Sequence, residues 1–492
     1  MTIMGIDESI NQAFAPIAKA FSEFIFFSVS VGGADLQLIV LWLVVGAAFF
    51  TFYLRFINIR GFRHALHLVR GDYTDPDEPG EVSHFQALAT AISGTVGVGN
   101  IAHVAVAISV GGPGAAFWML VAGILGMASK FAECTLGVKY RQENPDGSIS
   151  GGPMFYMDRG LRERNLPRLG KIMAAYYAVC IIIGTLGIGS MFQSNQAYVQ
   201  FVAVTGGDAS YFADRGWLFG LGIAATVGGV IIGGIKSIAR VASTIVPFMA
   251  MLYISTGLFV IAVNAEKVPH ALLQIVTGAF TPQGATGGVL GVLILGFRRA
   301  AFSNEAGIGS SSIAHSAVRT REPVTEGFVA LLEPFIDTII VCSITALVIT
   351  VTVYDPSNPF EGLSGVELTS AAFASVIPWF PIPLAIVVML FAYSTMIAWS
   401  YYGLEGWIYL FGPKKWVKAG YNLIFCASVV VGCTTQLDAI LDFSDAMIFA
   451  MAMANMTALY LLAPVVRKEL DSYWARLASG EIVRHNNVRH EK

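Results

Sequence analysis

Residues 94–100 read GTVGVGN, inside the stretch FQALATAISGTVGVGNIAHVAVAISVGG (85–112). That stretch is apolar enough to cross a membrane, yet Gly94, Gly97 and Gly99 fall where a helix should be strongest. It also spells Gly97-x-Gly99-x-x-Ala102, the small-residue variant of a dinucleotide fingerprint. A dinucleotide loop needs a preceding strand and an acid about 20 residues further on. Here the flanks read as helix, and the next acid after Asn100 is Glu133. The nucleotide reading fails. A break in a membrane helix is tolerated only where the freed backbone lines a cavity or meets a ligand, and glycine permits both the unwound geometry and the close approach.

Composition places the whole chain in the membrane. Of 492 residues, 55% are hydrophobic and 13% charged, with 33 Phe and a mean hydropathy of +0.65; soluble domains carry about 25% charge. Apolar runs of roughly 18 residues or more, long enough to span a bilayer, recur throughout. The five cysteines sit singly in apolar segments without C-x-x-C spacing, which reads as small buried hydrophobes and not as a disulfide framework or metal site. The N-terminus carries acids and no basic region, so a cleaved signal peptide is not expected.

The pattern predicts eleven helices. The first covers 37–57, an extra span ahead of two sets of five. The first set (85–263) holds 85–110, 114–137, 172–203, 216–235 and 241–263. The second (285–465) holds 286–316, 325–352, 382–411, 416–435 and 437–465. Residues 1–36 form an N-terminal interfacial segment, amphipathic over 11–27. A loop helix is expected within 366–380, and a polar tail over 466–492. Lys and Arg concentrate in alternate loops: Arg60, Arg63 and Arg70; Lys139 to Lys171; Lys236 and Arg240; Arg319 and Arg321; Lys414 to Lys418; and the tail. Basic loops stay cytoplasmic, so the N-terminus is expected outside and the C-terminus inside.

Each set of five opens with an interrupted helix, at 93–100 (SGTVGVGN) and at 298–312 (RRAAFSNEAGIGSSS). An odd number of spans makes the sets enter the membrane from opposite sides. That is the pattern of an inverted-repeat secondary transporter, with its site at the midplane between broken helices. The half-helix beginning near Gly97–Asn100 offers free N–H groups and a positive dipole end to a carboxylate, and the carbonyls ending the preceding half suit a small hard cation.

The motifs GVGNIA (97–102), GGPGAAFWM (111–119), GGPMFYM (151–157), FQSNQA (192–197), FSNEAGIGS (302–310) and STMIAWSYYG (394–403) resemble those of the alanine or glycine:cation symporters, the sodium:alanine symporter family, over about 85–465. The resemblance implies an all-α polytopic membrane protein with a leucine-transporter-like five-plus-five inverted repeat and one extra N-terminal helix. It further implies coupling of Na⁺ entry to uptake of a small neutral amino acid, with alanine or glycine foremost, across a plasma (bacterial inner) membrane. Main-chain and polar groups of Thr95, Gly97, Val98, Gly99 and Asn100, and of Phe302, Ser303, Asn304, Glu305 and Ile308, would hold the amino acid. Phe192, Gln193, Asn195 and Trp399 would wall the pocket. Na⁺ would sit between the carbonyls of Ser93, Val96 and Phe391 and the hydroxyls of Ser394 and Thr395, an oxygen cage suited to a hard cation that must also leave. The implied partners are the amino acid, Na⁺ and lipid, with no nucleic acid and no organic cofactor; the oligomeric state stays open. His103, Leu120 and Ala398 depart from the family pattern and put substrate identity in question, leaving a larger neutral amino acid such as glutamine in play.

Ionisable residues at membrane depth are functional candidates. Glu305 in the second break either meets a cation or pairs with Arg298, and Glu333 and Asp337 are expected to pair with the Arg298–Arg299 couple. Glu133, Asp438, Asp442 and Asp445 read as nearer to span ends. An intramembrane protease is disfavoured, because the Ser311/His315 spacing lacks any nucleophile or acid motif and His315 reads as a cytoplasmic helix-end residue. A channel lacks a repeated pore motif. The rival within the transporter class is H⁺ coupling through Glu305 or His103.

Overall fold

A computed structural model describes residues 16, 19–31, 34–75, 77–145, 147–281, 288–355, 363 and 365–484. Most of the expected interfacial segment, the start of the second set at 285–287, part of the loop before 366 and the end of the tail lie outside the described residues. The protein is almost entirely helical: α1 Leu38–Tyr53, α2 His84–Thr95, α3 Gly99–Gly111, α4 Gly114–Lys139, α5 Pro167–Leu186, α6 Phe192–Val204, α7 Gly216–Ile231, α8 Gly234–Val263 and α9 Val268–Phe280. The order continues with α10 Gly288–Asn304, α11 Ser311–Ser316, α12 Pro323–Ala330, α13 Ser343–Thr352, α14 Gly365–Ala374, α15 Pro381–Phe411, α16 Lys415–Gly432 and α17 Leu437–Ser479. Single π-helical segments, Gly187–Met191 and Phe335–Cys342, carry α5 into α6 and α12 towards α13.

Among the described residues, seven helices are long and apolar enough to cross a membrane: His84–Gly111, Gly114–Lys139, Pro167–Val204, Gly234–Val263, Pro323–Thr352, Pro381–Phe411 and Asp442–Ser479. The remaining expected spans fall on helices that are shorter, interrupted or edged with charge: α1, α7, α10 with α11, and α16. Large apolar side chains such as Phe248, Met251, Leu258 and Phe259 of α8 point outward, where only hydrocarbon would cover them.

Several boundaries differ from the sequence reading. The turn between α7 and α8 sits at Ile232 and Gly233, so Lys236 and Arg240 lie within α8. Two antiparallel strands, Ser28–Val31 and Ala34–Gln37, precede α1, and α9, not among the predicted helices, occupies Val268–Phe280. α17 runs to Ser479, past the point where hydropathy fades. Its extension is held by side chains: Arg467 donates to the Tyr53 carbonyl at 2.8 Å, Arg476 grips Glu322, and Tyr473 bonds the His64 ring at 2.7 Å. Burial, helped by neighbouring His67, pushes the pKa of His64 down to about 4, so the ring meets Tyr473 uncharged at neutral pH.

Glycines set how closely the helices approach. A Cβ on Gly189 would sit 2.3 Å from Trp399 Cβ, and one on Gly406 2.5 Å from Ile181 Cγ2, so α15 presses directly on α5 and its continuation. On α4, Gly123, Gly126 and Gly137 receive Thr338, Ala306 and Ser312 in the same way. The outer ends of α2 and α11 are stitched together. Glu81 N–H donates to the Ala317 carbonyl at 2.7 Å, and the Arg141 guanidinium donates to the carbonyls of Pro79, Ser316, Val318 and Thr320.

Candidate functional site

The first break is built from a helix that starts firmly and stops early. Ser83 and Gln86 form a capping box at the start of α2, satisfying its first donors. At the other end the ladder fails at Val96–Val98. In an unbroken helix the N–H groups of Gly97 and Val98 would close on the carbonyls of Ser93 and Gly94. Here Gly97 N–H donates to Asn100 Oδ1 at 2.9 Å and Val98 N–H to Gln193 Oε1 at 3.3 Å. Ser93 and Gly94 carbonyls are thereby released from the ladder, and Trp399 Nε1 donates to that of Gly94 at 3.1 Å.

The second break spans Glu305–Ser310 between α10 and α11. Glu305 has φ +56°, an uncommon conformation for a residue with a side chain, and Gly307 and Gly309 follow at +90° and +93°. Strained backbone of this kind persists where surrounding contacts over-determine it. Those contacts are visible. Asn455 Nδ2 donates to Gly307 O at 2.8 Å, Tyr177 Oη to Ile308 O at 2.9 Å, and Ser312 Oγ to Gly309 O at 2.6 Å. The Glu305 carboxylate is buried and accepts from Ser310 Oγ.

The two breaks meet through Asn100. Its Nδ2 donates to Ser303 Oγ at 3.0 Å and to the Asp337 carboxylate, while Ser303 Oγ and Thr338 Oγ1 donate to the other carboxylate oxygen at 2.8 and 2.6 Å. Above this polar knot lies an aromatic lid. His103 stacks on Phe302 with centroids 3.7 Å apart, and Phe192 meets both rings edge-on. Trp399 is fully buried on α15.

A second corner lies between α2 and α15. Ser93 Oγ donates to the Ser394 carbonyl at 2.6 Å, and Ser394 Oγ to the Phe391 carbonyl at 3.0 Å. Thr395 Oγ1 is buried without a hydrogen-bond partner among the described residues. It points at the unwound turn: a Cβ on Gly97 would lie 2.5 Å from it. A buried hydroxyl left unpaired is costly, and this one lies beside the turn where the α2 ladder ends.

The profile of the sodium:alanine symporter family matches residues 24–487. This chain belongs to the sodium:alanine symporter family. It is 38% identical over 426 residues to the sodium/alanine symporter AgcS of Methanococcus maripaludis, covering 86% of this chain and 91% of the relative. It is 35% identical over 447 residues to the "Probable sodium/glutamine symporter GlnT" of Bacillus subtilis, covering 90% and 89%. Among solved structures it resembles MhsT in complex with L-phenylalanine, with a TM-score of 0.56 at 14% identity, covering 80% of this chain and 99% of that one. That likeness shows a shared leucine-transporter-like fold. The chain is therefore a multi-pass membrane transporter of the family.

Within this family member the structure brings together most residues singled out from sequence. Thr95 to Asn100, Gln193, Phe192, Phe302, Ser303 and Trp399 converge on the breaks, and Ser93, Val96, Phe391, Ser394 and Thr395 on the corner beside them. Asn195 is not brought there: its Nδ2 donates to the carbonyls of Gly432 and Thr435 at 3.1 and 2.7 Å, pinning α6 to α16. Asn304 braces the second break, donating to Thr338 Oγ1 at 2.9 Å.

The ionisable residues pair differently from the sequence reading. Arg298 and Arg299 both reach Asp445 of α17, at 2.7 and 3.1 Å, not Glu305, Glu333 or Asp337, because Ser310, the Lys130–His315 pair and the Asn100–Ser303 pair respectively engage those carboxylates. His315 does lie in the last turn of α11, as read from sequence, but it is not a free basic end. It is buried and bonds Glu326 through Nδ1 and Glu333 through Nε2, and Glu326 also holds His84. Glu133 and Asp445 are fully buried too. The sequence reading missed Lys130, fully buried with Nζ 3.2 Å from Glu333 Oε2 and bonded to Ser311. A lysine in the middle of an apolar span was the available signal. The buried trio Cys134, His315 and Glu333 has metal-like proximity, but the Lys130 ammonium already supplies Glu333 with its cation.

Proposed function

We propose that the protein is a Na⁺-coupled symporter that carries a small neutral amino acid, alanine or glycine foremost, into the cell by alternating access. The observation that carries this reading is the unpartnered Thr395 hydroxyl aimed at the unwound Gly97 turn, beside carbonyls released from α2. Na⁺ bound there would tie α15 to the break and order the backbone that receives the amino acid. The carboxylate would meet the N–H groups around Gly97–Asn100, the ammonium the carbonyls near Phe302–Glu305. Phe192, His103 and Phe302 leave room for a short side chain. In this reading the chain has eleven spans, the five-helix sets 85–263 and 285–465 are inverted repeats, residues 1–36 lie at the interface, and the tail from 466 is cytoplasmic. The N-terminus lies outside a plasma membrane, the inner one in a bacterium. Relatedness to a protein named for glutamine supports a larger neutral substrate as the second reading.

Labelled-alanine uptake into proteoliposomes, under an inward Na⁺ gradient against an equal K⁺ gradient, tests the proposal, with unlabelled glycine, serine and glutamine as competitors. Concentrative uptake is expected only with Na⁺, and Thr395→Ala should raise the Na⁺ needed for half-maximal uptake about tenfold, the worth of one good cation contact in a partly wet site. Glutamine outcompeting alanine moves the assignment to the second reading. Uptake that follows a pH gradient and ignores Na⁺ would sink the cation corner and promote Glu305 or His103 as the proton carrier.

A further inference from the structure

Thr395 is one of three side chains on α15 whose buried oxygens have no hydrogen-bond partner among the described residues; the others are Tyr402 Oη and Glu405 Oε2. Their spacing, seven and ten residues beyond Thr395, keeps them within about 80° on one helix face and spreads them over about 15 Å. All three are at most 5% exposed. Tyr402 stands midway: a Cβ on Gly94 would lie 3.0 Å from its hydroxyl, so it looks at the last turn of α2, where the released carbonyls begin. Glu405 stands at the far end, where a cavity of about 580 Å³ opens between α15, Asn144 and Ser148–Ser150 of the loop after α4, and the α7–α8 turn.

We propose that Tyr402 and Glu405 form an exit station for the cation, a second and weaker site through which Na⁺ passes from the Thr395 corner to the cytoplasm. The inference rests on the Na⁺-symport reading above and adds a site to it. The ligand class follows from the donors. The face offers a carboxylate and neutral oxygens to a small monovalent cation and offers nothing to an anion. The cavity wall adds Glu81, which accepts from Ile149 N–H at 2.8 Å and has Lys236 Nζ 4.0 Å from its other oxygen. Lys236, 68% exposed at its side chain, and Lys418, which lines the same cavity, are competing cations at the mouth. They keep the station weak, as release requires.

The test is trans-inhibition in right-side-out proteoliposomes: alanine uptake is driven by saturating external Na⁺ while internal Na⁺ is varied. Glu405→Gln should require about tenfold more internal Na⁺ for half-inhibition, the loss of one carboxylate contact at a partly wet site. Its external Na⁺ requirement should move far less, and Glu405→Asp should restore the internal dependence. Tyr402→Phe, which removes a hydroxyl that no other described residue uses, should shift the internal dependence the same way by about threefold and carries the test if Glu405→Gln does not fold. Unchanged internal dependence in either folded variant, with wild-type uptake still driven by Na⁺, overturns the exit station and leaves symport standing. Wild-type uptake indifferent to Na⁺ overturns both.

Discussion

Two glycines of one motif have opposite steric duties. Gly97 faces α15, and a Cβ there would stand 2.5 Å from Thr395 Oγ1 and 3.3 Å from Gln193 Oε1. Gly99 faces the Phe302 ring, and its Cβ would make ordinary contact at 3.6 Å. Gly97→Ala is expected to displace Thr395 at a cost of about 1–3 kcal/mol, typical of overpacking, and to raise the Na⁺ requirement severalfold. Gly99→Ala should leave that requirement near wild type and act on the amino acid's KM alone. Parallel Na⁺ and alanine titrations of the two variants separate these outcomes; equal effects on Na⁺ would remove Thr395 from the cation corner. The glycines and the motif around them were readable in sequence, but their difference was not, because it depends on which helix lies opposite each Cα.

At the scale of elements, one side chain, Asn100, ties the two breaks to each other and to Asp337. Asn100 begins the second half of one break, and its amide donates to Ser303 beside the other and to Asp337 beneath both. Asn100→Ala would leave the buried Asp337 carboxylate without one of its donors and Gly97 N–H without Asn100 Oδ1. A stability loss of about 1–3 kcal/mol for each unsatisfied group is expected, read as a fall in the detergent-solubilised melting temperature, together with loss of alanine binding. Asn100→Asp keeps the Gly97 contact but sets a second carboxylate against Asp337, so it should be worse than alanine. A milder aspartate variant would count against the charged state of Asp337 on which this ordering depends. That the helices over 84–111 and 288–316 are interrupted was legible from glycine placement within apolar runs. That Asp337 serves the breaks and not the arginines was not, since Asn100 and Ser303, which meet it, come from two helices far from it in the chain.

Across the whole molecule, buried charges gather into two knots at different ends of the bundle. One is Arg298, Arg299 and Asp445 near His103. The other links His84, Glu326, His315, Glu333 and Lys130. The second knot joins α2, α4, α11 and the α12 span, and so braces both broken helices against α4 on the side where Arg141 clamps their ends. Removing one partner of a buried pair strands the other, at about 3–5 kcal/mol. Lys130→Met is therefore expected to destabilise the folded protein strongly in thermal melts, with expression falling in step. If Lys130→Met melts like wild type, the knot is not a brace.

Composition and periodicity were enough to read a multi-pass membrane class and most of the helices, and glycine placement the two interruptions. These are properties of local sequence against a hydrocarbon solvent, where every backbone group must be satisfied within its own helix or at a break. The motifs also pointed to Asn100, Gln193, Ser303 and Trp399 at the breaks, but not to Tyr177, Asp337 or Asn455, which hold them from elsewhere. The pairings came only with tertiary structure: Arg298 and Arg299 with Asp445, Lys130 with Glu333, His315 with two glutamates, and Asn195 turned towards α16. A buried charge announces that it needs a partner, but its partner is whichever helix packs there, and that choice is made by the close approach of glycine-lined surfaces far apart in the chain.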